Sequence, residues 1–143
     1  MGVKPFLLAP ALNCVIGQRL VRLLCQKCKK KVTLSDDQKE RVETALANLP
    51  PKQAADIAQK EKVFYTGDGC EACHGIGYKG RVGIYEIFIM SQVIEQLILT
   101  GQVSEFEIEK IAVQNGMVTM VQDGLLKALE GKTSVDEVFR VIE

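Results

Sequence analysis

The sequence is poor in aromatic residues and in histidine. Its 143 residues include no tryptophan, three tyrosines, five phenylalanines and one histidine, His74. All-β sandwiches depend on aromatic and β-branched residues, so this composition argues against that class. With His74 as the only histidine, the sequence holds neither a His-Glu-x-x-His metalloprotease motif nor a Ser/His/Asp constellation.

The chain also lacks an excess of either charge. Eighteen Lys and Arg residues balance eighteen Asp and Glu residues, which argues against nucleic acid or an acidic membrane surface as the main partner. Hydrophobic residues make up 47% and charged residues 25%, as in folded globular proteins. A chain of this length can bury a core without cross-links.

No apolar run is long enough to cross a bilayer. The N-terminal run is interrupted by Pro10 and ends before Gln18, whereas a membrane-spanning helix needs about 20 residues. A secretory or lipoprotein signal is disfavoured because Asn13 stands before Cys14, where a small residue would be needed. The apolar residues of this segment recur at helical spacing, so we predict a helix from Pro10 to Leu24 that buries Cys14 as a small hydrophobic residue.

The middle of the chain carries both helix and strand signals. Ser35 and Gln38 form a capping box, which predicts a helix from Ser35 to Asn48 that ends before the two following prolines. A second, short helix is expected at 52–60. Aromatic and β-branched residues predict strands at 62–66 and 81–89.

Three glycines, Gly101, Gly116 and Gly131, recur at regular intervals in the last fifty residues. Each follows an apolar segment, as glycines at helix C-termini do. Capping boxes starting at Ser104, Thr119 and Ser134 mark three helix N-termini. The predicted helices are 91–100, 104–115, 119–130 and 134–142.

Together these signals predict an α+β chain that is predominantly helical: a helical bundle with short strands and a zinc-binding element of four cysteines. We divide it into a first helix at 1–24, the zinc-binding element with a helical insertion at 25–90, and a C-terminal helical region at 91–143. This last region offers no acid–base constellation, so we expect it to contact neighbouring proteins.

Four of the five cysteines form two Cys-x-x-Cys pairs, Cys25 with Cys28 and Cys70 with Cys73. Two such pairs can present four thiolates to one tetrahedral Zn²⁺, and the βαβ context of a thioredoxin-like dithiol is absent from the sequence. Four cysteines leave no open coordination position, so the site is predicted to be structural and not catalytic. His74, next to Cys73, is the alternative ligand that remains open.

Residues around the cysteines fit this prediction. Gly75 and Gly77 permit the backbone to approach the metal closely, so that N–H groups can point at sulfur. The negative charge of four thiolates would be offset by basic residues close in sequence: Lys27, Lys29, Lys30, Lys31, Lys79 and Arg81. Loss of the metal is expected to loosen residues 25–80 first, because few apolar anchors are evident in that segment.

Gly131-Lys132-Thr133 matches the last residues of a phosphate-binding P-loop. The first glycine of that motif would fall at Leu126, and the preceding residues are helical in pattern instead of following a strand. We therefore interpret Gly131 as a helix C-cap.

Three blocks of sequence carry a resemblance to a known family. They are Val3–Leu8 with Gln18-Arg-Leu-Val-Arg22 before Cys25, then Gly69–Glu86 around the second cysteine pair, then the tail from Asn115 to Val138. In order and spacing they resemble the C-terminal part of the type II secretion and type IV pilus assembly ATPases over essentially the whole chain. The stretch between the cysteine pairs is longer than is usual there, so helices within 35–62 are expected to be an elaboration.

The resemblance implies a cytoplasmic, usually hexameric motor, in which ATP and Mg²⁺ belong to the full-length protein. Residues 1–24 would then be the end of a RecA-like core. The implied partners are neighbouring ring subunits and the inner-membrane platform and adaptor proteins, through which the motor is peripherally attached to the membrane. Arg19 and Arg22 lie in a block near the ATPase core, and both nucleotide contact and a plain salt-bridge role stay open for them.

Two other classes are kept as alternatives. The second cysteine pair with its glycines also resembles one zinc unit of J-domain chaperones, which carry four. A free-standing zinc-ribbon module that binds nucleic acid would use the lysines at 27–31, but its net positive charge and exposed aromatics are missing. Without a P-loop, the chain alone is expected not to hydrolyse ATP. Because the resemblance leaves most of the RecA-like core outside this sequence, we expect a monomer or weak dimer.

Overall fold

A computed structural model describes residues 4–59, 61–101 and 104–142. These residues form four strands, seven α-helices and two short 3₁₀ segments, at Ala9–Ala11 and Glu71–Cys73. The strands are β1 (Cys14–Leu24), β2 (Lys29–Val32), β3 (Phe64–Gly67) and β4 (Tyr78–Ile89). The helices are α1 (Pro5–Leu8), α2 (Asp36–Ala47), α3 (Pro51–Ala58), α4 (Gln92–Thr100), α5 (Glu105–Gln114), α6 (Met120–Leu129) and α7 (Val135–Ile142).

The predicted helix from Pro10 to Leu24 is wrong, because this segment is the long strand β1. It pairs antiparallel with β4, from Cys14 opposite Ile89 to Leu24 opposite Tyr78, with a register shift between Arg22 and Leu24. The apolar residues of the segment recur at helical spacing, but the pairing with β4 holds the segment as a strand. Cys14 is correspondingly exposed on the strand and not buried in a helix.

The fold class is confirmed as α+β, with 49% helix and 23% strand, but the description as a predominantly helical bundle is not. Two separate two-stranded sheets, β1 with β4 and β2 with β3, run through the described chain. In the second sheet Lys29 lies opposite Gly67 and Val32 opposite Phe64. The strands predicted at 62–66 and 81–89 correspond to β3 and β4.

The remaining helices lie close to their predicted bounds. Capping boxes close the N-termini of α2, α5 and α6, where Ser35, Ser104 and Thr119 each accept a hydrogen bond from the backbone N–H three residues further on. Gly101, Gly116 and Gly131 all have left-handed backbone angles after a helix, as predicted for C-terminal caps. Among the described residues, every helix is too short or too polar to span a membrane.

The main core joins the C-terminal helices to the segment between the two cysteine pairs. Its buried residues come from α2, β3, α6, α7 and the adjoining loops: Leu34, Val42, Leu46, Leu49, Phe64, Leu125, Ala128, Val135 and Val138. Helices α6 and α7 pack tightly because Gly124 has no side chain. A Cβ there would lie 2.7 Å from a methyl group of Val138. The expectation that residues 25–80 carry few apolar anchors is therefore wrong.

The β1–β4 sheet has one covered and one open face. Val21 and Ile84 share the face on which α6 and α7 pack and are fully buried. On the opposite face Ile16, Leu20 and Ile89 are each more than half exposed. Apolar residues on both faces explain why the alternation expected of a half-buried strand is not visible in the sequence.

Candidate metal centre

The two cysteine pairs lie where the two sheets meet. Cys25 and Cys28 are in the turn between β1 and β2, and Cys70 and Cys73 are in the turn between β3 and β4. Backbone hydrogen bonds join the turns, since Cys25 N–H donates to the carbonyl of Gly77 at 2.9 Å and Asp68 N–H donates to that of Cys28 at 3.2 Å. The strand pairings thus bring together cysteines that are far apart in sequence.

The four sulfur atoms form a compact cluster. Sγ–Sγ distances are 3.8 Å for Cys25–Cys70 and for Cys28–Cys73 and 3.7 Å for Cys70–Cys73, and all four lie within 4.8 Å of one another. A tetrahedral Zn²⁺ with bonds of about 2.3 Å requires sulfurs about 3.8 Å apart, whereas a disulfide requires about 2.0 Å. The arrangement fits a tetrathiolate metal ion and not a pair of disulfides.

Backbone N–H groups point at one of these sulfurs. Cys70 N–H and Gly77 N–H donate to Cys73 Sγ at 3.1 and 3.2 Å. Burial opposes ionisation of Cys73, but these donors outweigh it and hold the pKa of its thiol at about 6. Burial raises the pKa of Cys28 to about 12. A divalent cation would have to displace the remaining protons from the cluster, which makes its binding weaker in acid.

Two glycines allow the two ends of the β3–β4 turn to approach each other. A Cβ on Gly67 would lie 2.1 Å from the carbonyl oxygen of Gly77, so no side chain fits there. Gly77 itself has a left-handed φ of 80° and, as predicted, presents its N–H to sulfur. The sequence analysis missed Gly67, because it ends β3 and no motif marks it.

The other candidates of the sequence analysis lie outside the cluster. In the described part of the chain, the group able to hold a metal consists of the four paired cysteines, and His74 is not a member. Of the basic residues expected to offset the thiolates, two have other partners. Lys30 forms an ion pair with Asp68, and Lys29 donates to the carbonyl of Gly131 while lying over the ring of Tyr65.

A second cluster of charged residues, which the sequence analysis missed, lies beside the metal centre. Glu137 of α7 is 1% exposed and receives hydrogen bonds from the guanidinium groups of Arg22 and Arg140. We call these three residues the Glu137 cluster. Burial opposes ionisation of Glu137, but the hydrogen bonds from Arg140 and Arg22 outweigh this effect and lower its pKa to about 2. Glu137 was predicted as the acidic member of a capping box, and its sequence position carries no sign of burial.

Both arginines of the Gln-Arg-Leu-Val-Arg block face α7. Arg22 makes the ion pair with Glu137, and Arg19 donates to the carbonyl of Val141. Thr133, the last residue of the P-loop-like tripeptide, is fully buried and donates to the carbonyl of Arg22. Gly131 has a φ of 67° directly after α6. The interpretation of Gly131 as a helix C-cap is confirmed.

The fold and this site define an α+β protein with a tetracysteine element of metal-binding geometry at the junction of two small sheets. The family described as "Type II/IV secretion system protein" matches residues 1–140. The chain belongs to that family.

Relatives with this similarity are named as pilus assembly and secretion proteins. A type IV pilus assembly ATPase PilB of Thermus thermophilus is 41% identical over 144 residues, covering 100% of this chain and 15% of that protein. A type II secretion system protein E of Dickeya dadantii is 36% identical over 141 residues, covering 99% of this chain and 25% of that protein. The chain thus spans a quarter or less of the length of these relatives.

Proposed function

We propose that this chain is the metal-binding and C-terminal helical part of a motor ATPase for type II secretion or type IV pilus assembly. The observation that carries the proposal is the tetracysteine cluster, which has the geometry of a Zn²⁺ site in a chain matched by this family along nearly its whole length. Relatives from both branches match equally well in coverage, so the proposal extends to either machine.

The role proposed for the metal is structural. Cys25, Cys28, Cys70 and Cys73 fill a tetrahedral shell, which leaves no position for a substrate or an activated water. When bound, the ion would supply a cross-link between the β1–β2 turn and the β3–β4 turn. ATP and Mg²⁺ would act elsewhere in the full-length protein, because this sequence contains no P-loop.

The structural role of the metal implies a role for each of the three parts of the chain. Residues 1–24 would join the ATPase core, and 25–90 would hold the metal. The helical region 91–143 would face neighbouring ring subunits and the membrane platform and adaptor proteins. A cytoplasmic position at the inner membrane, reached through those partners, is part of the same proposal. Binding of nucleic acid is not expected, because the net charge is zero.

Metal analysis of the purified chain tests the site. We expect one Zn²⁺ per chain, lost on Cys70→Ser or Cys25→Ser and retained on Cys14→Ser, the matched control on β1. Less than half an equivalent of metal, or loss in the control alone, would contradict the assignment.

The motor role is tested in the full-length protein that carries this chain. Cys70→Ser should impair pilus assembly or secretion and reduce ring formation, whereas Cys14→Ser should leave both intact. Full assembly by a protein without bound metal would rule out the structural role. Salt-sensitive binding of DNA or RNA would favour the zinc-ribbon alternative instead.

A further inference from the structure

Residues 132–137 close the outer edge of β1 directly before Cys25. Leu24 N–H donates to the carbonyl of Lys132 at 2.8 Å, Thr133 Oγ1 donates to the carbonyl of Arg22 at 2.8 Å, and Arg22 N–H donates to Glu137 Oε1 at 3.0 Å. Strand β1 pairs with β4 along its other edge. The loop before α7 and the first turn of α7 therefore take the place of a neighbouring strand at the point where β1 enters the metal centre.

The Glu137 cluster reinforces this contact. Arg22 Nη2 lies 2.6 Å from Glu137 Oε2, and the Arg22 guanidinium lies 4.3 Å from the centre of the Tyr78 ring. Arg140 donates to both oxygens of the same carboxylate, at 2.7 and 2.8 Å. Because the Glu137 side chain is fully buried, removing its charge leaves two guanidinium groups without their main acceptor.

A second connection starts from the other cysteine pair. Tyr78 follows Gly77, whose N–H donates to Cys73 Sγ, and its hydroxyl lies 2.6 Å from Ser134 Oγ. Ser134 Oγ in turn accepts the N–H of Glu137 at 3.1 Å, in the first turn of α7. Both metal-binding turns are thus one or two hydrogen bonds away from the same helix N-terminus.

We propose that metal binding at the four cysteines and docking of α7 on β1 are thermodynamically coupled, with Arg22, Tyr78 and Glu137 as positioning residues. The proposal rests on the metal site proposed above. A bound ion holds the end of β1 and the start of β4 in one relative position. Residues 132–137 form hydrogen bonds with these same two segments, at Arg22 and Leu24 of β1 and at Tyr78 of β4. Coupling is reciprocal, so α7 docking must raise the affinity for the metal by the factor by which the metal favours docking.

Competition with a zinc chelator measures one side of this coupling. We expect Glu137→Gln to weaken Zn²⁺ binding about tenfold, and Tyr78→Phe, which keeps the ring and removes the hydroxyl, by a smaller factor. Asp36→Asn is the matched control, because it removes an exposed carboxylate paired with Lys39 on α2, and it should leave the affinity unchanged. Affinities of Glu137→Gln and Tyr78→Phe within twofold of the unaltered chain would overturn the proposal.

Hydrogen exchange measures the other side. Removing Zn²⁺ from the unaltered chain should speed exchange of the Arg22 and Leu24 amides and of α7 together. Unchanged protection of α7 in the metal-free chain would overturn the coupling while leaving the metal site in place.

If the unaltered chain binds no Zn²⁺ at all, the metal site and the coupling both fail. If Glu137→Gln does not fold, Arg140→Met replaces it in the measurement of Zn²⁺ affinity. Arg140 is largely exposed, and its loss removes two hydrogen bonds to Glu137.

Discussion

Glu137 accepts hydrogen bonds from both the backbone N–H and the guanidinium of Arg22, at 3.0 and 2.6 Å, although 115 positions separate the two residues. The contact holds the last helix against the strand that leads into the cysteine cluster. It also gives a structural role to Arg22 of the Gln-Arg-Leu-Val-Arg block, which holds α7 through Glu137. The nearby Arg19 does the same through the carbonyl of Val141.

The carboxylate of Glu137 should make the stability of the fold depend on pH. Its folded pKa of about 2 lies below the usual 4.5, so its contribution is complete above pH 4.5 and is lost as the pH falls through 2. The lowered pKa of Glu137 corresponds to about 3 kcal/mol in the free energy of unfolding. Solvent around the exposed Arg140 screens the interaction and reduces this contribution to about 2 kcal/mol.

Urea unfolding of the unaltered chain and of Glu137→Gln at several pH values checks this. The stability difference between the two should be largest near pH 6 and should shrink between pH 4.5 and 2. Measuring both chains without metal isolates Glu137, because Glu137→Gln is also expected to weaken Zn²⁺ binding. A difference independent of pH would mean that Glu137 does not act through its charge.

Gly67→Ala should disrupt the close approach of Gly67 and Gly77, the two ends of the β3–β4 turn. The added methyl would lie 2.1 Å from the Gly77 carbonyl oxygen, so the backbone must shift and metal binding should be lost. Gly75→Ala is the matched control in the same turn. Its φ of 79° makes alanine strained by about 1 kcal/mol, but the added methyl would have no heavy atom within 4 Å. Thermal unfolding and metal content distinguish the two, and equal effects of both substitutions would contradict the steric argument.

Metal removal should loosen the turns more than the helices between them. The turns at 25–28 and 67–77 bury few apolar side chains, whereas Val42 and Leu46 of α2 belong to the main core. Hydrogen exchange of the metal-free chain should therefore rise first in the turns, with the α2 amides still protected. If α2 exchanges as fast as the turns, the core contacts of α2 depend on the metal.

The isolated chain should not hydrolyse ATP. Its Gly131-Lys132-Thr133 tripeptide forms a helix cap, with Thr133 buried against Arg22 and Lys132 paired with Glu130 at the surface. Phosphate release above background, abolished by Lys132→Ala, would show that the tripeptide binds nucleotide after all.

The open face of the β1–β4 sheet should make the isolated chain associate weakly. Ile16 and Leu20 are exposed on β1, next to Ile87 and Ile89 of β4. Sedimentation at micromolar concentration should give a monomer or weak dimer, and Ile16→Thr with Leu20→Thr should shift it towards monomer. A stable hexamer unaffected by both substitutions would place the assembly contacts elsewhere in this chain.

Local signals in the sequence were sufficient for most helices and for the four cysteines that cluster in the structure. Capping boxes and C-terminal glycines act within one turn of helix, so Ser35, Ser104, Thr119 and the glycines after the helices mark boundaries without any tertiary information. The Cys-x-x-Cys spacing works in the same way, because each pair forms its own turn. The pattern of β1 had no such local marker, and the prediction of a helix there was wrong.

The sequence by itself determined the helix boundaries, the two cysteine pairs and the family, because each rests on residues close together in the chain or on ordered blocks. The tertiary structure alone decided that Cys14–Leu24 is a strand, that Gly67 must lack a side chain, and that Glu137 is buried between Arg22 and Arg140. The physical reason is common to the three. Strand pairing, close backbone approach and burial of a charge all depend on residues brought together from distant parts of the chain, and no local pattern encodes them.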